Sequence, residues 1–121
     1  MLAGAKRIGE ARSPTCGSTI QMSVKLDALG AIAALGLRAH ACAVGQASAA
    51  VFARHAIGRN QAELEVAGRE IAAWLAGTAP RPDWPGLEAL DPARDYPARH
   101  GAMLLPWKAA LAALSSTDAA S

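Results

Sequence analysis

The side chains here that could do chemistry beyond surface acid–base exchange are few. Cys42 stands in Arg38-Ala-His-Ala-Cys42-Ala-Val-Gly-Gln-Ala-Ser-Ala-Ala50, where an apolar, strand-like run gives way to an alanine-rich helix. A thiol beside a helix N-terminus meets unpaired backbone N–H groups and the positive end of the dipole, and both favour the thiolate. That prepares a cysteine to bind metal or carry sulfur. The same position also suits a small packed residue, and the residue type alone does not choose. Cys16, the other cysteine, lies in Ser13-Pro-Thr-Cys-Gly-Ser18. His40 is two residues before Cys42 on an extended segment, His100 opens the last expected helix, and His55 is a helix away from either. A zinc site takes four ligands, or three and a water. Cys16, Cys42, His40 and His100 could supply them, although a lone histidine more often caps or decorates a surface. No Ser-His-Asp spacing, glycine-rich phosphate loop or H-E-x-x-H motif is present.

The elements that must position these residues follow from pattern. Thr19 to Asp27 alternates, with Ile20, Met22, Val24 and Leu26 on one face and Gln21, Ser23, Lys25 and Asp27 on the other. That is the period of a strand with one buried face. Asp27-Ala-Leu-Gly30 reads as a turn, and a second strand is expected from about Ala31 to Ala41, pairing as a hairpin. A short edge strand fits Lys6–Arg12. Cys16 precedes the first hairpin strand and Cys42 follows the second, so the two are expected at the same rim of the sheet.

Beyond Cys42 the period becomes helical. Val44, Ala47, Val51 and His55 share a face, with Gly58 as the stop signal. Asn60 with Glu63 forms a capping-box pattern, and Leu64, Ala67, Gly68, Ile71, Trp74 and Leu75 make the stripe of a second helix ending at Gly77. Pro80, Pro82 and Pro85 stiffen the connection that follows, leaving room for a short turn over Gly86–Leu90. The last helix starts near Pro97, with Leu104, Trp107, Leu111 and Leu114 as its buried stripe. Pro106 should kink or restart it, because proline removes a hydrogen bond and crowds the Ala102 carbonyl. Strands first and helices after give an α+β domain over residues 1–114, with 115–121 read as a disordered tail.

Composition narrows the function classes. The chain has 121 residues and a net charge of +2, with scattered basic residues, which speaks against a nucleic-acid surface. Only five residues are aromatic (three Trp, one Tyr, one Phe), so the core is expected to be mostly aliphatic. No apolar run reaches the roughly 18 residues of a membrane span, and no signal-peptide pattern opens the chain. The expected location is cytoplasmic, with both cysteines reduced.

Several segments resemble a known family. Ser-Pro-Thr-Cys16-Gly, the alternating strand, Ala-Cys42-Ala-Val-Gly-Gln-Ala-Ser-Ala, Ala-Ile-Gly-Arg, Tyr-Pro-Ala-Arg99 and Trp107-Lys occur in the order seen in U-type iron–sulfur scaffold proteins. These are IscU, SufU and the N-terminal domain of NifU, and SufU is nearest. The resemblance spans roughly residues 8–114. It implies a small antiparallel sheet of about three strands with helices packed on one face, and a site of three cysteines and an aspartate that assembles a [2Fe–2S] cluster or holds zinc. It also implies a cysteine desulfurase as sulfur donor and iron–sulfur acceptor proteins as recipients, with no independent catalysis by the scaffold. Carried over position by position, the first two ligands are Cys16 and Cys42. The aspartate position holds Ser18 and the third cysteine position holds Ala102, while Gly101 stands where the family has lysine. The implied function is therefore scaffold-like, through Cys16 and Cys42. Two alternatives stand beside it: a metal-free protein-binding accessory, or a zinc domain using Cys and His. The oligomeric state is left open.

Overall fold

The computed structural model of the chain describes residues 7–14 and 17–116. Its elements run β1 (Arg7–Arg12), β2 (Thr19–Leu26), β3 (Ile32–His40), α1 (Ala43–His55), α2 (Gln61–Leu75), a 3-10 helix over Leu87–Ala93, and α3 (Pro97–Leu114). The strands form one antiparallel sheet in the order β1-β2-β3, so the α+β architecture matches the expectation. The anticipated tail from residue 115 falls mostly outside the described residues. No described helix is long and apolar enough to cross a membrane.

Register follows from the hydrophobic alternation. Met22 pairs with Gly9 on one side and Leu37 on the other. Ile20, Met22 and Val24 are fully buried, and a slip of one residue would turn all three to the opposite face. The β2–β3 turn is held by the Asp27 carboxylate, which accepts from the N–H groups of Leu29 at 2.9 Å and Ala31 at 3.0 Å.

Helix α3 crosses the sheet at Gly9. A Cβ there would lie 2.5 Å from the Ala109 carbonyl oxygen and overlap the Ala113 backbone nitrogen, so only glycine permits this approach. Arg7 Nη1 then donates to the Leu114 carbonyl at 2.7 Å, placing a cation at the negative end of the helix.

The expected restart at Pro106 does not occur, since α3 is unbroken across it. Pro106 is buried, and one residue past the Ala102 carbonyl that loses its i+4 donor, the Ser48 hydroxyl donates to Met103 O at 2.6 Å. The expected stripe is also incomplete. Leu104 and Leu111 are only half-buried, whereas Met103, Leu105, Ala109, Ala110 and Ala113 are buried. Helix α3 packs against β1, β2, α1 and α2 at once, so it buries most of its circumference instead of one stripe.

The predicted face of α1 shifts for a similar reason. Ala47 and His55 are exposed, and the buried residues are Gly45, Ser48, Ala49, Val51 and Phe52. Helix α2 matches its prediction except at Gly68, which is half-buried and not part of the packed stripe. Asn60 Oδ1 accepts from the Glu63 N–H at 2.9 Å while the Glu63 carboxylate accepts from the Asn60 N–H at 3.2 Å, and Leu64, Ala67, Ile71, Trp74 and Leu75 are buried. The core is less aliphatic at its centre than composition implies. Trp84, from the proline-rich connection, stacks on Phe52 at 5.6 Å and meets Trp107 edge-on at 5.2 Å. Its indole N–H donates to Val51 O at 3.1 Å.

Candidate functional site

Cys42 is the N-cap residue of α1, in extended conformation, half-buried and free. Its backbone N–H donates to Ser18 Oγ at 3.2 Å, which ties the start of the helix to the loop before β2. That loop is closed on itself, with Ser13 N–H donating to Ser18 O and Gly17 N–H to Ser13 O, both at 2.8 Å.

Helix α3 reaches the same place from the other side. A Cβ on Gly45 would sit 3.7 Å from the Ala102 methyl and 3.8 Å from Ser18 Oγ, and one on Gly101 would sit 2.7 Å from Ser13 Oγ. Glycines at 45 and 101 thus let α1 and α3 close on Ser13 and Ser18. Ser18, Cys42 and Ala102, far apart in sequence, converge around the first turn of α1.

The electrostatics favour a thiolate. The Gly45 backbone N–H lowers the Cys42 pKa most, partial burial raises it, and the Ser18 hydroxyl, the Arg99 guanidinium and the Val44 N–H each lower it further. The net shift is downward from the usual 9.0. The Cys42 side chain makes no capping hydrogen bond at the helix start. A nucleophile or soft ligand results. Beside it opens a mainly apolar recess of about 330 Å³ lined by Val44, Pro92, Ala93, Tyr96 and Arg99.

The other candidates are less closely gathered. Cys16 lies outside the described residues, and so does its expected meeting with Cys42; sequence puts it two positions before Ser18. His40 ends β3, is exposed and pairs with Thr19. His100 is half-buried, with Nε2 2.5 Å from the Arg94 carbonyl. A carbonyl only accepts, so Nε2 carries the proton and Nδ1 alone remains for another partner. Among the described residues, no group of three or more His, Cys, Asp or Glu side chains could hold a metal ion. The described donor set therefore does not fit a zinc site by itself.

In the sequence, Ser18 stands only as the residue at the family's aspartate position and Arg99 only as the end of Tyr-Pro-Ala-Arg99. Their contact with Cys42 spans distant parts of the chain, and periodicity carries no trace of it.

Comparison with protein-family models and with curated proteins finds no match. Among solved structures, the chain is similar to the N-terminal part of a nitrogen-fixing NifU-like protein from Brucella abortus. Identity is 32%, the match covers 93% of this chain and 79% of that one, and the TM-score is 0.85. The chain belongs to the NifU-like, U-type scaffold family. A second U-type structure, an iron–sulfur cluster assembly scaffold protein for the SUF system from Fervidobacterium islandicum, is 25% identical, with 94% and 84% covered and a TM-score of 0.80. The U-type fold accounts for the layout above: the sheet and α3 carry the loop before β2 and the start of α1 to one rim, and Cys42 stands there.

Proposed function

We propose that this U-type chain is an iron–sulfur cluster assembly scaffold-like protein in which Cys42 accepts sulfur and, with Cys16, holds the iron–sulfur unit as cargo. The observation carrying this reading is the half-buried Cys42 sulfur at the α1 N-terminus, with Arg99 and Ser18 beside it and its pKa lowered. The Cys42 thiolate attacks the outer sulfur of a persulfide on a cysteine desulfurase. A new S–S bond forms at Cys42, the donor's S–S bond breaks, and the donor cysteine leaves as thiolate, with no net change in oxidation. A dithiol reductant then supplies two electrons and leaves as its disulfide. The sulfane sulfur becomes the sulfide that iron takes up at Cys42 and Cys16, and an acceptor protein takes the cargo. The test is anaerobic reconstitution with iron and sulfide. A visible charge-transfer spectrum lost in Cys42→Ala supports cargo holding, and a colourless, metal-free product contradicts it.

A second reading is favoured by Ala102, whose fully buried methyl group fills the position where the family resemblance places a third thiol. On this reading the chain keeps the fold and binds its partners without metal. Capture of the desulfurase that is insensitive to replacing both cysteines would support it. A zinc site would need Cys16 together with His40 or Nδ1 of His100, and elemental analysis of protein purified without an affinity tag tests that set.

A further inference from the structure

Helices α2 and α3 do not close on each other along their whole shared face. Between them runs a groove of about 590 Å³ whose floor is Leu104, Trp107 and Leu111. It stays open because α2 presents Gly68 and Ala72 there, and even a Cβ on Gly68 would reach nothing nearer than the Trp107 Cβ at 4.0 Å. Leu104 and Leu111 are left half-exposed, two helical turns apart on α3, so the apolar strip extends roughly 10 Å. Trp107 is buried, yet its indole N–H meets no acceptor among the described residues.

The rims are cationic. Arg69 flanks the groove from α2 and Lys108 from α3, both exposed. Neither side chain forms an ion pair or hydrogen bond with a described residue. The single acid at the groove, Glu65, accepts from Gln61 Nε2 at 3.3 Å and keeps its charge, so the two cations leave the lining with a net positive charge of one. An apolar floor between two unpaired cations selects for an apolar strip flanked by carboxylates. Its length suits the i, i+3/i+4, i+7 anchors of a helix laid in a groove.

We propose that the α2/α3 groove is a docking site for an acidic amphipathic helix of a partner protein. It shares no residue with the Cys42 site, so its success or failure is independent of the sulfur-acceptor reading. The charges steer the helix and set its register, and burial of Leu104 and Leu111 supplies most of the affinity.

The test uses the full chain and a synthetic helical peptide of about four turns, with leucines at i, i+4 and i+7 and glutamates on both flanks. Saturable amide shifts should be confined to α2 and α3. A peptide with lysines replacing the glutamates should bind at least roughly tenfold more weakly, as should the acidic peptide to Arg69→Glu/Lys108→Glu. Gly68→Leu, which fills the groove, should abolish the shifts while Cys42 labelling is unchanged. Arg69→Glu/Lys108→Glu changes only exposed side chains, so its result stands even if Gly68→Leu fails to fold. Equal binding of both peptides, shifts located elsewhere, no saturable binding, or dimerisation of the chain through these helices would overturn the proposal.

Discussion

At Cys42 the Gly45 N–H lowers the thiol pKa most, burial opposes it, and Ser18, Arg99 and the Val44 N–H add to the lowering. A lowered pKa keeps the reactive thiolate populated at pH values below the ordinary 9.0, where an unperturbed thiol is protonated. Iodoacetamide labelling of Cys42, separated from Cys16 by peptide mass spectrometry, should therefore fall off at lower pH than in a denatured control. Arg99→Ala or Ser18→Ala should move that midpoint upward, and a wild-type profile centred at 9.0 would contradict the assignment. Ala102 offers the complementary experiment. A Cβ on Gly45, in the first turn of α1, would lie 3.7 Å from the Ala102 methyl, so Ala102→Cys adds a thiol to the same side of the fold as Cys42. That variant should retain more zinc or iron per chain than wild type by elemental analysis. Its metal-free form should melt lower, because the added sulfur enters a fully buried position.

Packing between elements turns on small residues. Gly9→Ala forces a methyl group into the α3 backbone at Ala109 and Ala113, where no flexible side chain can yield. The expected loss is at least roughly 2 kcal/mol, read as a fall in Tm of about 10 °C. Asn60→Ala removes one half of the α2 capping box and should cost about 1 kcal/mol by thermal or urea unfolding, with the Cys42 labelling profile unchanged. The elements that sequence described well have sharp polarity contrast: the alternation of β2 and the Asn60–Glu63 cap with its leucine, isoleucine and tryptophan stripe. The faces of α1 and α3 were less legible. Alanine looks alike at exposed Ala47 and buried Ala109, and α3 is surrounded on several sides. Trp84 was missed because the prolines around it report backbone stiffness and say nothing of burial.

For the molecule as a whole, sheet and helices meet at one rim, where Cys42 caps α1 and its N–H is tied to Ser18. The place of Cys42 at a strand-to-helix junction was legible because the hydrophobic period changes from two to a helical one at that residue. The company around it was not, since Ser18, Gly45, Ala102 and Arg99 come together only through the tertiary fold. If Cys42 accepts sulfur as proposed, its rim, with the lowered thiol pKa and Ser18 beside it, is where sulfur should be found. The measurement that tests this most directly is intact-protein and peptide mass spectrometry after incubation with a cysteine desulfurase and cysteine. One or more added sulfur atoms should map to Cys42, be removed by reductant and be absent in Cys42→Ala. Sulfur found only on Cys16, or on neither cysteine while the desulfurase itself is persulfidated, would contradict sulfur acceptance by Cys42.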